Sequence, residues 1–248
     1  MTMNKESYSE KHPVVLDEQE RSSKANKIVA VIMDYYKDKG ELGKLRCLDV
    51  GCSGGIITNY LANYFGKVTG VDIDAKALAY AKSRFKRKNL SFKLNEATEI
   101  SAKDNSFDVV VCNHTYQYIP DKQMLLNEIY RLLKPCGFCY FAASTRFSHK
   151  ESAFLSWLPK RIRSICLGNK TCSAEYMTYY GLRKIVSDFE VVDYSIIVLK
   201  GRDKFFIGRG NAIPGLLPTF LLKALIYFFP TYVWILKKPE QEKNKRIL

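Results

Sequence analysis

The chain of 248 residues carries 39 lysines and arginines against 25 acidic residues, which gives a formal net charge of +14. Its 47% hydrophobic and 26% charged residues exclude wholesale disorder, and its length predicts one substantial core. The excess of positive charge favours an anionic partner, such as a nucleic acid, a membrane surface or an anionic substrate, without choosing among them.

Strands and helices are predicted in alternation along the first half of the chain. A flexible N-terminus over residues 1–23 precedes a helix, because apolar residues recur at helical spacing over 24–36. Short apolar runs predict strands at 45–50, 68–71, 90–94, 107–112 and 138–143, with helices around 57–65, 75–85 and 121–133. Repeated strand–helix units of this length require a mostly parallel, doubly wound sheet.

The rest of the chain does not continue this regular alternation of strands and helices. Residues 146–180 are predicted to form a cap or insert, and apolar runs at 189–199 and 203–207 predict an antiparallel C-terminal hairpin. One domain therefore spans residues 24–210, with its core motifs in 45–145. An apolar helical appendage over 211–236 and a basic tail over 237–248 complete the chain.

The strand at 45–50 runs into a turn of small residues that opens a helix. Small residues let a ligand approach the backbone at the carboxyl end of a strand, where open α/β sheets bind their ligands. A dinucleotide fingerprint would need glycine where Ser53 and Ile56 stand, and no Gly-Lys-Ser/Thr sequence is present. Both of those nucleotide-binding motifs are therefore excluded.

An acidic residue ends the next predicted strand. Asp72 lies 17 residues after Gly55, and its carboxylate is placed to accept hydrogen bonds from two ribose hydroxyls. Asp74 is interpreted as the N-cap of the following helix. The turn and the acid together predict a nucleoside-binding cleft.

These motifs resemble the class I, seven-stranded S-adenosylmethionine-dependent methyltransferases over roughly residues 24–145. Asp49, Gly51, Ser53 and Gly55 match the family's first motif, with Ser53 in place of its usual glycine, and residues 106–114 and 128–137 match later motifs. The resemblance implies a Rossmann-like fold and S-adenosyl-L-methionine as cofactor. It implies donor contacts from Asp49, Gly51, Cys52, Ser53, Gly55, Asp72, Ile73, Glu96, Ala97 and Asn113, with Glu96 binding the adenine amine.

The sulfonium already activates the methyl group, so no covalent nucleophile is expected. An oxygen acceptor needs a base, and His114 at the end of the fourth strand is the candidate catalytic residue, with a pKa expected to suit that role. Gln117 and Tyr118 stand where many relatives carry a Glu-His pair, so no role is transferred from that pair. The spacing of Cys136 and Cys139 does not indicate a metal site, and no metal is predicted.

The sequence indicates the methyl acceptor less clearly than the methyl donor. The chain lacks the Asn/Asp-Pro-Pro-Tyr motif of amino-methylating nucleic-acid enzymes, which favours a small-molecule or lipid-linked acceptor, such as a glycan or quinone, over nucleic acid. Two alternatives stay open: an RNA methyltransferase whose basic runs contact phosphates, and a non-catalytic relative that binds the cofactor. The sequence does not indicate the oligomeric state.

Seven cysteines form no even framework, and the first residues lack the apolar stretch of a secretion signal, so a cytoplasmic location is expected. The apolar stretch 213–236 is interrupted by prolines and by Lys223, which argues against a regular membrane span. One interpretation is peripheral contact with the inner face of a membrane through 213–238. The other is a helix packed on the core, and the sequence does not separate them.

Overall fold

The computed structural model describes residues 9, 16–37, 39–144, 176–200, 218, 220–221 and 231–240. The described residues form the helices α1 (Glu18–Tyr35), α2 (Ile56–Leu61), α3 (Ala75–Arg84), α4 (Lys122–Leu132), α5 (Tyr179–Ile185) and α6 (Ser195–Lys200). Their seven strands are β1 (Arg46–Val50), β2 (Lys67–Asp72), β3 (Leu90–Leu94), β4 (Phe107–Asn113), β5 (Leu133–Ser144), β6 (Glu190–Asp193) and β7 (Thr231–Lys237). Two 3-10 turns lie at Lys39–Lys44 and Tyr116–Tyr118.

The strands form one seven-stranded sheet in the order β3-β2-β1-β4-β5-β7-β6. The pairs among β1 to β5 are parallel, whereas β7 is antiparallel to both β5 and β6. One buried cluster packs α4 and α5 against one face of the sheet, and a second packs α1 and α2 against the other. The predicted doubly wound, mostly parallel sheet with an antiparallel end is confirmed.

The register of the central strands aligns their carboxyl ends. Val50, the last residue of β1, pairs with Val71 of β2 on one side and with Cys112 of β4 on the other. Side chains that follow these three strands therefore meet at one edge of the sheet, where an α/β sheet binds its ligand.

The segment 1–23, predicted as a flexible N-terminus, includes residues 9 and 16–23 of the described structure. Helix α1 begins at Glu18, and the side chain of Asp17 caps it by accepting a hydrogen bond from the Glu20 N–H at 2.9 Å. Ser9 is buried, and its N–H donates to Asp74 Oδ2 at 2.8 Å. Leu16 packs against the turn at Gly54. The described residues of this segment thus contact the loops at the ends of β1 and β2.

The predicted hairpin and appendage are divided differently in the structure. Strand β6 pairs with β7. Residues 203–207, the second strand of the predicted hairpin, lie outside the described residues. The second half of the predicted strand 189–199 is helix α6. The C-terminal end of the predicted helical appendage is β7, whose residues from Tyr232 to Leu236 are at most 4% exposed.

Burial of β7 restricts the predicted membrane contact. Trp234 and Lys238 are 0% and 3% exposed, so neither can reach a headgroup region in this fold. Of residues 213–230, the structure describes Pro218, Phe220 and Leu221, and Phe220 is 74% exposed. No helix within the described part of the chain has the length and apolarity to cross a bilayer. Residues 146–175 of the predicted insert and 241–248 of the tail lie outside the described residues.

The ammonium group of Lys238, next to the end of β7, binds the end of α4. Its Nζ donates to Asn105 Oδ1 and to the carbonyl oxygens of Tyr130 and Leu133, each at 2.8 Å. Burial lowers the pKa of this lysine. The three bonds fasten the last strand to the connection between α4 and β5.

Lys238→Met should therefore destabilise the fold, because it leaves buried carbonyl oxygens without a donor. We expect a loss of about 1–3 kcal/mol in the free energy of unfolding, measured by urea denaturation. Lys237→Met is the matched control, since Lys237 forms a partly exposed ion pair with Glu190 at 3.0 Å. That control should lose less than about 1 kcal/mol. Equal losses in the two variants would contradict this role of Lys238.

Candidate functional site

The turn between β1 and α2 has an unusual backbone that is fixed by the end of β2. Gly51, Ser53 and Gly55 have φ values of 78°, 47° and 75°, in the left-handed region. The N–H groups of Gly51 and Cys52 donate to the carbonyl oxygen of Val71 at 2.9 and 3.0 Å. Ser53 thus adopts the conformation for which glycine is usual, at a cost of about 1–2 kcal/mol. The departure from the family motif leaves the turn intact.

The glycines of this turn are required by packing within the protein. A Cβ atom on Gly51 would lie 2.3 Å from Thr115 Oγ1, and one on Gly55 would lie 2.7 Å from the ring of Phe92. Thr115 Oγ1 donates to the carbonyl oxygen of Val50 at 2.9 Å. The sequence argument expected small residues here for the approach of a ligand, but these two positions face the protein's own side chains.

Asp72, at the end of β2, connects the turn to the next loop. Its carboxylate accepts hydrogen bonds from the N–H groups of Ser53 at 2.7 Å and Asp74 at 2.9 Å. Burial raises the pKa of Asp72 in spite of these bonds. Asp74 accepts from the N–H groups of Lys76 and Ala77 at the start of α3, so the N-cap prediction is confirmed.

Asp49 lies beneath the turn and is 3% exposed. Thr58 Oγ1 donates to its Oδ2 at 2.7 Å. The pKa of Asp49 is raised to about 6, mainly by burial and also by the charge of Asp72, whereas the bond from Thr58 and the charge of Arg21 oppose the shift. Burial therefore makes the ionised forms of both Asp49 and Asp72 less favourable than they are in water.

The loop after β3 carries the predicted adenine contacts. Asn95 N–H donates to the carbonyl oxygen of Asp72 at 3.0 Å, which places exposed Glu96 and half-buried Ala97 beside the end of β2. Helix α4 holds the far end of this loop, since Ile100 N–H donates to Glu128 Oε1 at 2.6 Å. Arg131 also donates to the carbonyl oxygens of Ile100 and Ala102 and pairs with Asp104. The matched motif in α4 thus supports the loop that follows β3.

A small cavity opens at the aligned strand ends, lined by Arg21, Asp49, Gly51, Cys52, Ile56, Ile57 and Asn113. Four of the predicted donor contacts, Asp49, Gly51, Cys52 and Asn113, meet there. Within the described structure, the buried Nε of Arg21 and Nδ2 of Asn113 have no hydrogen-bond partner. Buried donors of this kind are costly to leave unpaired, so the cavity fits a ligand that presents acceptor oxygens. Ser53, Gly55, Asp72, Ile73, Glu96 and Ala97 lie outside this cavity lining, along the ends of β1 to β3.

Sequence reasoning missed Arg21 because it placed the helix start at residue 24. A signal was present: Asp17 followed three residues later by Glu20 is the spacing of a capping box, which predicts a helix beginning at Glu18. Arg21 then falls on the second turn of α1, above the carboxyl edge of the sheet. Thr115 was also missed, since only the fold brings it against Gly51.

His114 follows β4 with a left-handed φ of 56°. The ring Nδ1 of His114 lies 2.8 Å from Ser144 Oγ, and the backbone N–H of His114 donates to the carbonyl oxygen of Ala142 at 2.9 Å. The pKa of His114 is lowered to about 3, mainly by burial and also by the positive charges of Lys24, Arg21 and Lys27. This direction makes the imidazole neutral and weakly basic at neutral pH, which argues against the expected role as a general base.

Comparisons with known proteins agree with this geometry. The sequence model of the methyltransferase domain family matches residues 48–141. The ubiquinone biosynthesis O-methyltransferases of Coxiella burnetii and Sodalis glossinidius are 30% identical over 118 residues and 32% identical over 119 residues. These matches cover 47% and 46% of this chain, and 50% and 47% of those enzymes. The chain thus spans about half the length of these curated relatives.

Solved structures share the fold across most of the chain. Magnesium protoporphyrin IX methyltransferase from Synechocystis with bound SAH has a TM-score of 0.56 at 14% identity, over 88% of this chain and 84% of its own. An S-adenosylmethionine-dependent methyltransferase from Methanosarcina mazei has a TM-score of 0.53 at 20% identity, over 80% of this chain and 94% of its own. At these identities the likeness establishes the class I methyltransferase fold.

The raised pKa of Asp49 predicts a pH-dependent stability that Asp49→Asn removes. A carboxyl group that titrates near 4 when unfolded and at about 6 when folded binds a proton more tightly in the folded state between these pH values. The unfolding free energy of the wild type, relative to Asp49→Asn, should fall as the pH rises from about 4 to about 6, by about 1–3 kcal/mol. Denaturant titrations at several pH values measure it. A difference that is constant or rises over this range would contradict the shift.

Proposed function

We propose that this chain, whose residues 48–141 belong to the methyltransferase domain family, transfers a methyl group from S-adenosyl-L-methionine to a small-molecule or lipid-linked acceptor. The observation that carries the proposal is the cavity at the aligned ends of β1 and β4, where the buried carboxyl group of Asp49 lies together with the unpaired nitrogen donors of Arg21 and Asn113. That mixture suits the ammonium and carboxylate of a methionyl group, because each charge finds a group of the opposite character.

The residues around the cavity fit the rest of the donor. Arg21 and Asn113 would hold the methionyl carboxylate, and Asp49 would accept from its ammonium group. Asp72 would accept from the ribose hydroxyls at the end of β2, and the loop at Glu96 and Ala97 would contact the adenine. When bound, the donor supplies an electrophilic methyl group on a sulfonium. The protein aligns the acceptor with that methyl group and excludes water.

The acceptor side lies beyond the end of β4. Ubiquinone biosynthesis O-methyltransferases among the relatives support a small-molecule acceptor that is methylated on oxygen. A quinone precursor or a lipid-linked glycan fits that class. Neutral His114, fixed by Ser144, would contact the acceptor as a hydrogen-bonding group instead of removing its proton.

Donor binding tests the first half of the proposal. Asp72→Ala should weaken the binding of S-adenosylhomocysteine by about tenfold or more in calorimetry, because a carboxylate that accepts charged or hydroxyl hydrogen bonds is lost. Asp188→Ala is the matched control, since Asp188 is exposed just before β6, at the opposite edge of the sheet. If calorimetry detects no binding of S-adenosylhomocysteine to the folded wild-type protein, the proposed methyl donor is wrong.

Methyl transfer tests the second half. Wild-type protein given radiolabelled S-adenosylmethionine and a cell extract should label the small-molecule or lipid fraction, and not RNA. His114→Gln should lower this labelling less than about tenfold, whereas loss of a general base costs 100-fold or more. Labelling confined to RNA, or absent while the donor binds, would refute the proposed acceptor class.

We also propose that the protein acts in the cytoplasm, with peripheral membrane contact confined to residues 213–230. Free thiols at the described cysteines and exposed Phe220 support these assignments. Fractionation of cells should recover the protein without disulfides, and Phe220→Asp should shift it from a vesicle-bound to a free state in flotation. Unchanged flotation of the variant would remove residue 220 from the membrane contact.

A further inference from the structure

Two unfavourable features meet at Ser53, in the turn between β1 and α2. Its backbone has a left-handed φ of 47°, which costs free energy for a residue with a Cβ atom. Its hydroxyl oxygen is buried and has no hydrogen-bond partner within the described structure, which costs free energy again. A glycine would avoid both costs, because it has neither a Cβ atom nor a hydroxyl group. The stability of the fold therefore does not explain why this position carries serine.

Two other hydroxyl groups at this edge of the sheet hold the turn in place. Thr58 Oγ1 donates to Asp49 Oδ2 at 2.7 Å, and Thr115 Oγ1 donates to the carbonyl oxygen of Val50 at 2.9 Å. The Ser53 hydroxyl makes no such bond within the described part of the chain. Backbone strain of this kind is typical of ligand-binding positions, where it serves function instead of stability.

The position of Ser53 links the cavity to the carboxylate of Asp72. Cys52, the preceding residue, lines the cavity. The N–H of Ser53 donates to Asp72 Oδ2 at 2.7 Å, and the N–H of Asp74 donates to Asp72 Oδ1 at 2.9 Å. A carboxylate oxygen accepts more than one hydrogen bond, so both oxygens of Asp72 keep capacity for the hydroxyl groups of a ligand. A ligand hydroxyl bound to Asp72 would therefore lie next to Ser53.

Resting on the proposed function, we infer that the Ser53 hydroxyl donates a hydrogen bond to a ribose hydroxyl of the methyl donor, and that this ribose hydroxyl donates in turn to Asp72. The two bonds form a chain that ends on a carboxylate, and a hydrogen bond to an ionised acceptor is stronger than one between neutral groups. The glycine that is usual at this position in the family has no side chain, so this contact is particular to the present chain. It gives the buried hydroxyl a partner from the ligand.

The first test separates stability from binding. Ser53→Gly should unfold at a higher urea concentration than the wild type, because both unfavourable features are removed. The same variant should bind S-adenosylhomocysteine about fivefold more weakly in calorimetry, because one hydrogen bond is lost. Ser53→Ala, which keeps the Cβ atom and the left-handed backbone, should bind equally weakly. A weaker affinity in a more stable protein cannot result from misfolding.

Cys136→Gly is the matched control for the change in backbone freedom. Cys136 also has a left-handed φ, of 61°, but it is exposed near the amino end of β5, away from the site. This control should leave the affinity for S-adenosylhomocysteine unchanged.

The second test identifies the group that Ser53 contacts. Full-length wild type and Ser53→Gly are titrated with S-adenosylhomocysteine and with its 2′-deoxy and 3′-deoxy analogues. The difference in affinity between the two proteins should disappear for the analogue that lacks the contacted hydroxyl, and it should remain for the other analogue.

Three results would overturn the inference: equal affinity of Ser53→Gly and the wild type for S-adenosylhomocysteine, unfolding of Ser53→Gly at a lower urea concentration, or a difference in affinity that persists with both analogues. Each of them leaves the proposed function in place as long as the wild type binds S-adenosylhomocysteine. A folded wild type that does not bind this ligand loses the proposed function as well.

Discussion

The alignment of three parallel strand ends is the constraint on which the rest of the site depends. Val50 is paired on both sides, with Val71 and with Cys112, so β1, β2 and β4 all stop at the same level. Two N–H groups of the following turn then reach the carbonyl oxygen of Val71, and a third reaches Asp72. A shift of one residue in this register would reverse every side chain of β1 and separate these partners.

The first five strands could be predicted from the sequence because each is an apolar run bounded by a turn or a helix. Strand β7 could not, since it is buried on both faces: Val233 packs in one core cluster and Trp234 in the other. Such a run has no alternation of polar and apolar residues, so its sequence is equally consistent with a buried helix or a membrane-contacting segment. Only the pairing with β5 and β6 decides its structure.

The conformational preference of the residues themselves gave a wrong prediction where tertiary contacts outweighed that preference. Residues 196–198 are β-branched and predict a strand, yet they lie in helix α6. The preceding Tyr194 donates its hydroxyl to Asp34 of α1 at 2.9 Å, and Ser195 Oγ accepts from Val233 N–H at 3.1 Å. The positions of Asp49 and Asp72 were predictable because each lies at the carboxyl end of an apolar strand. Arg21 was not, because its place beside Asn113 depends on how α1 packs across the sheet.

The two acids at the ends of β1 and β2 lie where burial opposes their negative charge. Burial raises the pKa of Asp49 and of Asp72, whereas hydrogen bonds from Thr58 to Asp49 and from the N–H groups of Ser53 and Asp74 to Asp72 oppose the shift. A cationic group bound nearby would favour the ionised forms of both acids. The bond from Ser53 also means that the residue that holds the left-handed turn fixes the carboxylate of Asp72. The conformation of the turn and the charge at the strand ends are therefore set by the same contacts.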